Sequence, residues 1–197
     1  KGAGVTFNIH HCCNSAGTLE LPDFHREMIR PGIIQYGYDA SKEVLVTGTK
    51  IKPVMSLRCC ITHLKTIYEG DCVGYGRHFT ATGPTKIATL PIGYADGYNR
   101  ALSSKIDVIV HGVRAHQVGN ICMDQCMIDV SHIPDVKVGD EVVLFGEQGS
   151  ECVSADEIAD TCHTIIHEIT CNINRRGPRI YVQNGKIVQR LEYLTQS

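Results

Sequence analysis

From Ile51 onward the chain is written in short β-rich segments broken by turn signals, a rhythm that commits it to a sheet-rich domain. Met55 to Ile67 is one such segment and Thr85 to Ile92 another. Asp107-Val108-Ile109-Val110 runs into His111-Gly112-Val113, which reads as a hairpin, and Val136 to Phe145 contains a Gly139-Asp140 turn between strand-like pieces. A last hairpin is predicted from Arg179 to Val188 around Asn184-Gly185. Evenly spaced short strands of this kind point to a β-barrel or a sandwich. One helix interrupts them. Ser154 is its expected N-cap and Glu157 the reciprocal partner of a capping box. Ile158, Ala159, Cys162, Ile165, Ile166 and Ile169 then recur at helical spacing.

The first fifty residues read differently. A strand is predicted at Val5 to His10, a polar turn at Cys13 to Ala16, a helix within Leu19 to Met28, and at Met28 to Tyr36 a turn leading into, or lying beside, another buried strand. Strand, loop, helix and strand in that order suggest α/β units. The expected division is residues 1–50 and 51–197.

Hydrophobic residues make up 43% of the 197, enough for a core, and the net charge of -2 gives no electrostatic reason for a nucleic-acid or anionic-membrane partner. No apolar stretch is long enough to span a bilayer, and the first residues lack a signal peptide's apolar core. They also lack an initiator Met, so the chain reads as a piece of a longer one. The ten cysteines do not look like a disulfide framework: Cys12-Cys13 and Cys59-Cys60 are adjacent, and the others sit in apolar runs. They are expected to be reduced, mostly buried thiols in a cytoplasmic protein. Cys122 and Cys126 lack a second pair at zinc-site spacing, so no metal is expected.

Five segments carry chemistry: Asn14-Ser15-Ala16, Arg30-Pro31-Gly32-Ile33, Val73-Gly74-Tyr75-Gly76, Ile92-Gly93-Tyr94-Ala95-Asp96-Gly97-Tyr98 and Gly119-Asn120-Ile121-Cys122-Met123-Asp124-Gln125. Each has a plain reading by itself. Ser15 and Gly32 suit a phosphate, which needs hydroxyl and backbone N–H donors, but also suit ordinary turns. Arg30 is equally a surface charge, and Tyr75 equally a packed strand-end tyrosine.

Together, in this order, these segments resemble the C-terminal half of bacterial alanine racemases. The resemblance implies a (β/α)8 barrel whose last units are residues 1–50, followed by a mainly β, barrel-like C-terminal domain at 51–197. It implies pyridoxal 5'-phosphate as cofactor, a homodimer with shared active sites, and racemisation of L-alanine to D-alanine. Ser15, Gly32 and Ile33 match the phosphate cradle. Arg30 matches the arginine that faces the pyridine nitrogen, with His11 near the position that supports it. Tyr75 matches the base that takes the α-proton of the L-amino acid across the dimer interface. Tyr94 and Met123 match positions lining the substrate entrance and pocket. Asp96 and Asp124 are expected to hold loops.

Three departures stand out. None of the nine lysines lies in the Lys-Ala-Asn-Ala-Tyr-Gly type of motif that bears the family's cofactor lysine, so the chain alone is expected to be inactive. Asn120, at a substrate-side position, stands where many members have arginine. His167, near the cofactor phosphate, stands where a tyrosine is common. These two leave open a serine racemase of the vancomycin-resistance type, which would be membrane-tethered only through an upstream domain. A non-catalytic β module that dimerises is a further alternative.

Overall fold

The computed structural model describes residues 4, 6–40 and 51–194. The chain forms two compact units, Lys1–Met55 and Ser56–Ser197. The expected break at residue 50 lies within 41–50, outside the described residues, as do parts of the predicted strand at Val5 to His10.

The first unit contains no strand among its described residues. Asn14, read as part of a polar turn, is instead an N-cap: its side chain accepts from the Gly17 amide at 3.0 Å and starts helix α1 (Ser15–Glu20). The helix ends well before the expected Met28 because Pro22 cannot continue the α1 hydrogen-bond ladder. A 3-10 turn, Pro22–Phe24, follows. Ile33–Tyr36, at the end of the expected turn, is a 3-10 turn closed by Gly37 at φ 79°. Its Ile33 is buried all the same.

The second unit is built on β1 (Leu57–Cys60), β2 (His63–Ile67), β3 (Cys72–Val73), β4 (Phe79–Thr80), β5 (Thr85–Leu90), β6 (Asp107–Val110), β7 (Val113–Val118), β8 (Cys126–Asp129), β9 (Glu141–Gln148) and β10 (Glu151–Val153). Helices α2 (Ala155–Thr161) and α3 (Ile166–Asn172) and the hairpin β11 (Arg179–Gln183) and β12 (Lys186–Leu191) complete it. The main sheet runs β1-β9-β6-β7-β8-β5-β2, with β10 added on β9. All its pairings are antiparallel.

This sheet is open, which corrects the expectation of a barrel-like domain: no ladder joins β1 to β2 at the two ends of the path. At Ile61-Thr62 the chain changes partner: the Ile61 amide donates to the Asp140 carbonyl beside β9, and the Thr62 amide to the Thr89 carbonyl on β5. The two margins are thus joined by the chain and not by a ladder. Period-two patterning reads alike in an open sheet and a closed one, because closure depends on which margins share hydrogen bonds.

The core follows the central strands. Val108, Ile109, Val110, Ile128 and the run Val142 to Phe145 are all but fully buried. Each such side chain contributes about 1.5–3 kcal/mol relative to exposure. A flanking cluster of Ile67, Val73, Ala81, Ile87, Val118 and Met127, with Phe79 against it, seats the short β3–β4 ladder that carries the Tyr75 turn.

Where turn chemistry is explicit the hairpins form as read. His111 and Gly112 take φ 52° and 73° between β6 and β7, and Asn184 and Gly185 take 52° and 74° between β11 and β12. The single predicted helix is two, interrupted where His163 adopts φ 55°. Ser154 does cap α2, accepting from the Glu157 amide at 3.1 Å. The Glu157 carboxylate turns instead to the Arg114 guanidinium, at 2.7 and 3.0 Å. No helix of the described residues is long and apolar enough to cross a membrane. The cysteines are less buried than expected: Cys12, Cys60, Cys72, Cys152 and Cys171 are exposed, while Cys13, Cys122 and Cys126 are buried.

Candidate functional site

In the first unit, four of the expected site residues come together. Ser15 opens α1 with its side chain buried, and its hydroxyl oxygen accepts from the Gly32 amide at 2.9 Å. Gly32 in turn precedes the 3-10 turn that begins at Ile33. A Cβ on Gly32 would stand 3.5 Å from the Ser15 hydroxyl oxygen, in ordinary contact. Arg30 is fixed beside them, its amide donating to the Cys13 carbonyl at 2.9 Å and its guanidinium to the Cys12 carbonyl at 3.3 Å. A hydroxyl, two turn openings and a guanidinium form a donor set suited to an anion. Nearby, Glu27 accepts from the His10 amide at 3.0 Å and lies 3.1 Å from its Nδ1.

In the second unit, Tyr75 stands 78% exposed at the start of a tight turn, Tyr75–Arg77. Gly74 and Gly76 on either side take φ 73° and 79°, and Arg77 follows at 54°. Side-chain-bearing residues rarely accept that geometry, so the flanking glycines are what project the ring outward. The turn is pinned by Asn120, whose Nδ2 donates to the Tyr75 carbonyl at 2.8 Å.

The same connection between β7 and β8 holds the second tyrosine. The Tyr94 and Ala95 amides donate to the Cys122 and Met123 carbonyls, both at 3.0 Å. Gly93 makes this approach possible, since a Cβ there would overlap both carbonyl oxygens. Tyr94 and Met123 are each about half exposed. A hollow of about 460 Å³ opens beside Tyr94, lined also by Gly97, Asn99, Arg100 and Asn172.

Asp96 and Asp124 hold loops. Asp96 accepts from the Gly93 amide at 2.9 Å. Both carboxylates meet Arg176, at 3.5 Å for Asp96 and 2.6 Å for Asp124. Sequence reasoning missed Arg176, because contacts across 80 and 52 residues leave no local signal. His167 is exposed on the first turn of α3, apart from the hydrogen bonds that join the Tyr75 and Tyr94 turns to the β7–β8 connection.

Comparison with known proteins decides the family. Residues 54–181 match the family model for the alanine racemase C-terminal domain, and residues 1–40 match that for its N-terminal domain. The chain belongs to the alanine racemase family. Alanine racemase 1 of Clostridium acetobutylicum is 47% identical over 190 residues, 96% of this chain and 49% of the relative. The alanine racemase of Clostridium tetani is 49% identical over 186 residues, covering 94% and 48%. Among solved structures, an alanine racemase of Bacillus anthracis with bound L-Ala-P superposes with a TM-score of 0.92 at 38% identity, covering 97% of this chain and 49% of the other. That of Clostridium difficile 630, in complex with cycloserine, gives 0.90 at 43%, covering 98% and 50%. The chain thus spans about half the length of the alanine racemases it matches.

Proposed function

We propose that this chain is the C-terminal half of a pyridoxal-phosphate-dependent alanine racemase that interconverts L- and D-alanine. The observation that carries the reading is the projected Tyr75 turn held by Asn120, in a chain whose first unit presents the Ser15–Gly32–Arg30 donor set. Bound cofactor supplies the electron sink that makes the substrate's α-proton acidic. The Ser15 hydroxyl with the Gly32 and Ile33 backbone would hold the phosphate, and Arg30 would serve the ring nitrogen. A guanidinium stays protonated, so Arg30 would donate to that nitrogen without giving up a proton.

Tyr75 takes the α-proton of L-alanine at its hydroxyl oxygen, in the partner subunit's site of a homodimer. A phenol of ordinary pKa about 10 needs a cation close by to serve as a base near neutrality. Tyr94 and Met123 border the substrate, and Asn120 acts through the Tyr75 backbone. The base for the D-isomer is a lysine outside this chain. Residues 1–50 form the end of a (β/α)8 barrel and 51–197 the C-terminal domain. A cytoplasmic location suits ten cysteines that stand as free thiols.

The test is racemisation of L-alanine and L-serine by the full-length protein with pyridoxal phosphate. Turnover of alanine over serine, lost in Tyr75→Phe, is the expected result. Full activity in Tyr75→Phe would remove Tyr75 from the chemistry, and preference for serine would reassign the substrate.

A further inference from the structure

The sequence places cysteines side by side twice, and the fold treats the two pairs in opposite ways. Cys59 and Cys60 lie in β1, where successive side chains leave opposite faces. Cys60 is exposed, whereas Cys59 turns inward, and burial pushes its thiol up to about 12. Cys12 and Cys13 belong to no strand, and their Sγ atoms lie 3.9 Å apart. Each Sγ is also 3.4 Å from the same acceptor, the Phe24 carbonyl oxygen. Two sulfurs bound at about 2.3 Å to one centre stand roughly 3.8 Å apart when that centre is tetrahedral, and closer when it is pyramidal and three-coordinate. The pair therefore stands near the spacing of a chelate and closes slightly on binding. Cys12 is exposed and gives access, while Cys13 is buried behind it.

What such a pair binds follows from what surrounds it. Among the described residues no group of three or more His, Cys, Asp or Glu side chains is placed to hold a metal ion. A four-coordinate ion such as zinc would find half its ligands missing. Trivalent arsenic that already carries one organic group needs two sulfurs and nothing more. Occupation would also reach Arg30, because the carbonyls of these same two residues are the acceptors of its amide and guanidinium.

We propose that Cys12 and Cys13 form a two-thiol site for organic trivalent arsenicals, and that filling it displaces Arg30. With hydrated phenylarsine oxide, two As–O bonds break and two As–S bonds form. Each thiol proton leaves with a hydroxyl group as water, and arsenic remains trivalent, so no oxidant or reductant is needed.

The test treats full-length protein with one equivalent of phenylarsine oxide in excess monothiol, then measures intact mass and maps peptides. One adduct per chain, stripped by 2,3-dimercaptopropanol and located at Cys12–Cys13, is expected; it survives in Cys60→Ser and is lost in Cys12→Ser. Wild-type mapping to Cys59–Cys60, or no dithiol-sensitive adduct, would overturn the site without reliance on any variant. The effect on Arg30 is read by titrating pyridoxal phosphate and rests on the cofactor reading given above. At least a fivefold weaker affinity in the adduct is expected, and unchanged affinity would overturn the coupling. Failure of unmodified protein to bind pyridoxal phosphate would strike the Arg30 reading instead, leaving the adduct map to stand by itself.

Discussion

The Asn120 side-chain amide donates to the Tyr75 carbonyl oxygen at 2.8 Å, across 45 residues of sequence. The bond fixes the backbone from which the tyrosine ring projects, so its loss lets the turn sample other geometries. A neutral hydrogen bond of this kind contributes about 0.5–1.5 kcal/mol. Asn120→Ala is therefore expected to lower kcat/KM of the full-length enzyme roughly two- to twelvefold, by the same relation between free energy and rate. Asn120→Asp, which sets a carboxylate oxygen against a carbonyl oxygen, should lower it further. Steady-state kinetics of the two variants checks the order.

Tyr98 is 2% exposed, and its hydroxyl finds no hydrogen-bond partner among the described residues. A buried polar atom left unpaired costs about 1–3 kcal/mol. Tyr98→Phe is expected to be neutral or to stabilise by about 1 kcal/mol, against the usual trend for core substitutions. Urea unfolding monitored by circular dichroism decides it; a clear loss of stability would mean that the hydroxyl is satisfied in solution.

Ser154 caps α2 and Glu157 does not reciprocate. Ser154→Ala should cost about 1 kcal/mol. In a domain of this size that lowers Tm by roughly 2–4 °C. Glu157→Gln should act on Arg114, which Glu151, Asp107 and the Cys152 carbonyl also engage. A double-mutant cycle between Glu157 and Arg114 should show coupling, and one between Glu157 and Ser154 should not.

Asp140 is held below the usual carboxylate range, first by the Lys137 amide that it accepts from and then by His111, 2.8 Å away. A carboxylate depressed on folding stabilises the protein fully above its unfolded pKa of about 3.9. That stability is lost as pH falls through the lower folded value. Acid unfolding of Asp140→Asn is expected to depend less steeply on pH below about 4 than that of the wild type. Parallel curves would show that Asp140 is not linked to folding.

What could be read in the sequence was local chemistry with a fixed geometric meaning. Asn184-Gly185 and His111-Gly112 sit at hairpin reversals because their backbones accept positive φ. Ser154 ahead of a periodic run was legible as a cap for the same kind of reason. Periodicity could not register His163, whose left-handed backbone splits one apolar stripe into two helices without disturbing the spacing on either side. Nor could it separate a strand from a 3-10 turn over four residues at Ile33–Tyr36, where burial of Ile33 fits either. The site residues were legible as a set only through resemblance. Their contacts were not: Arg176 meets Asp96 and Asp124 from 80 and 52 residues away, and pairing at such range leaves no trace in spacing.

The corner at Ile61-Thr62 makes the sheet intolerant of a change in chain length at that point. Along β2, Leu64 is half-buried on one face and Ile67 buried on the other, while His63, Lys65 and Thr66 are exposed. One extra residue beside Thr62 would slide β2 by a single position against β5 and exchange the faces that Leu64 and Ile67 present. Gly83, by contrast, lies in the exposed turn ahead of β5 with open space around its α-carbon, where added length has somewhere to go. Insertions and deletions among natural variants should gather at the second place and spare the first.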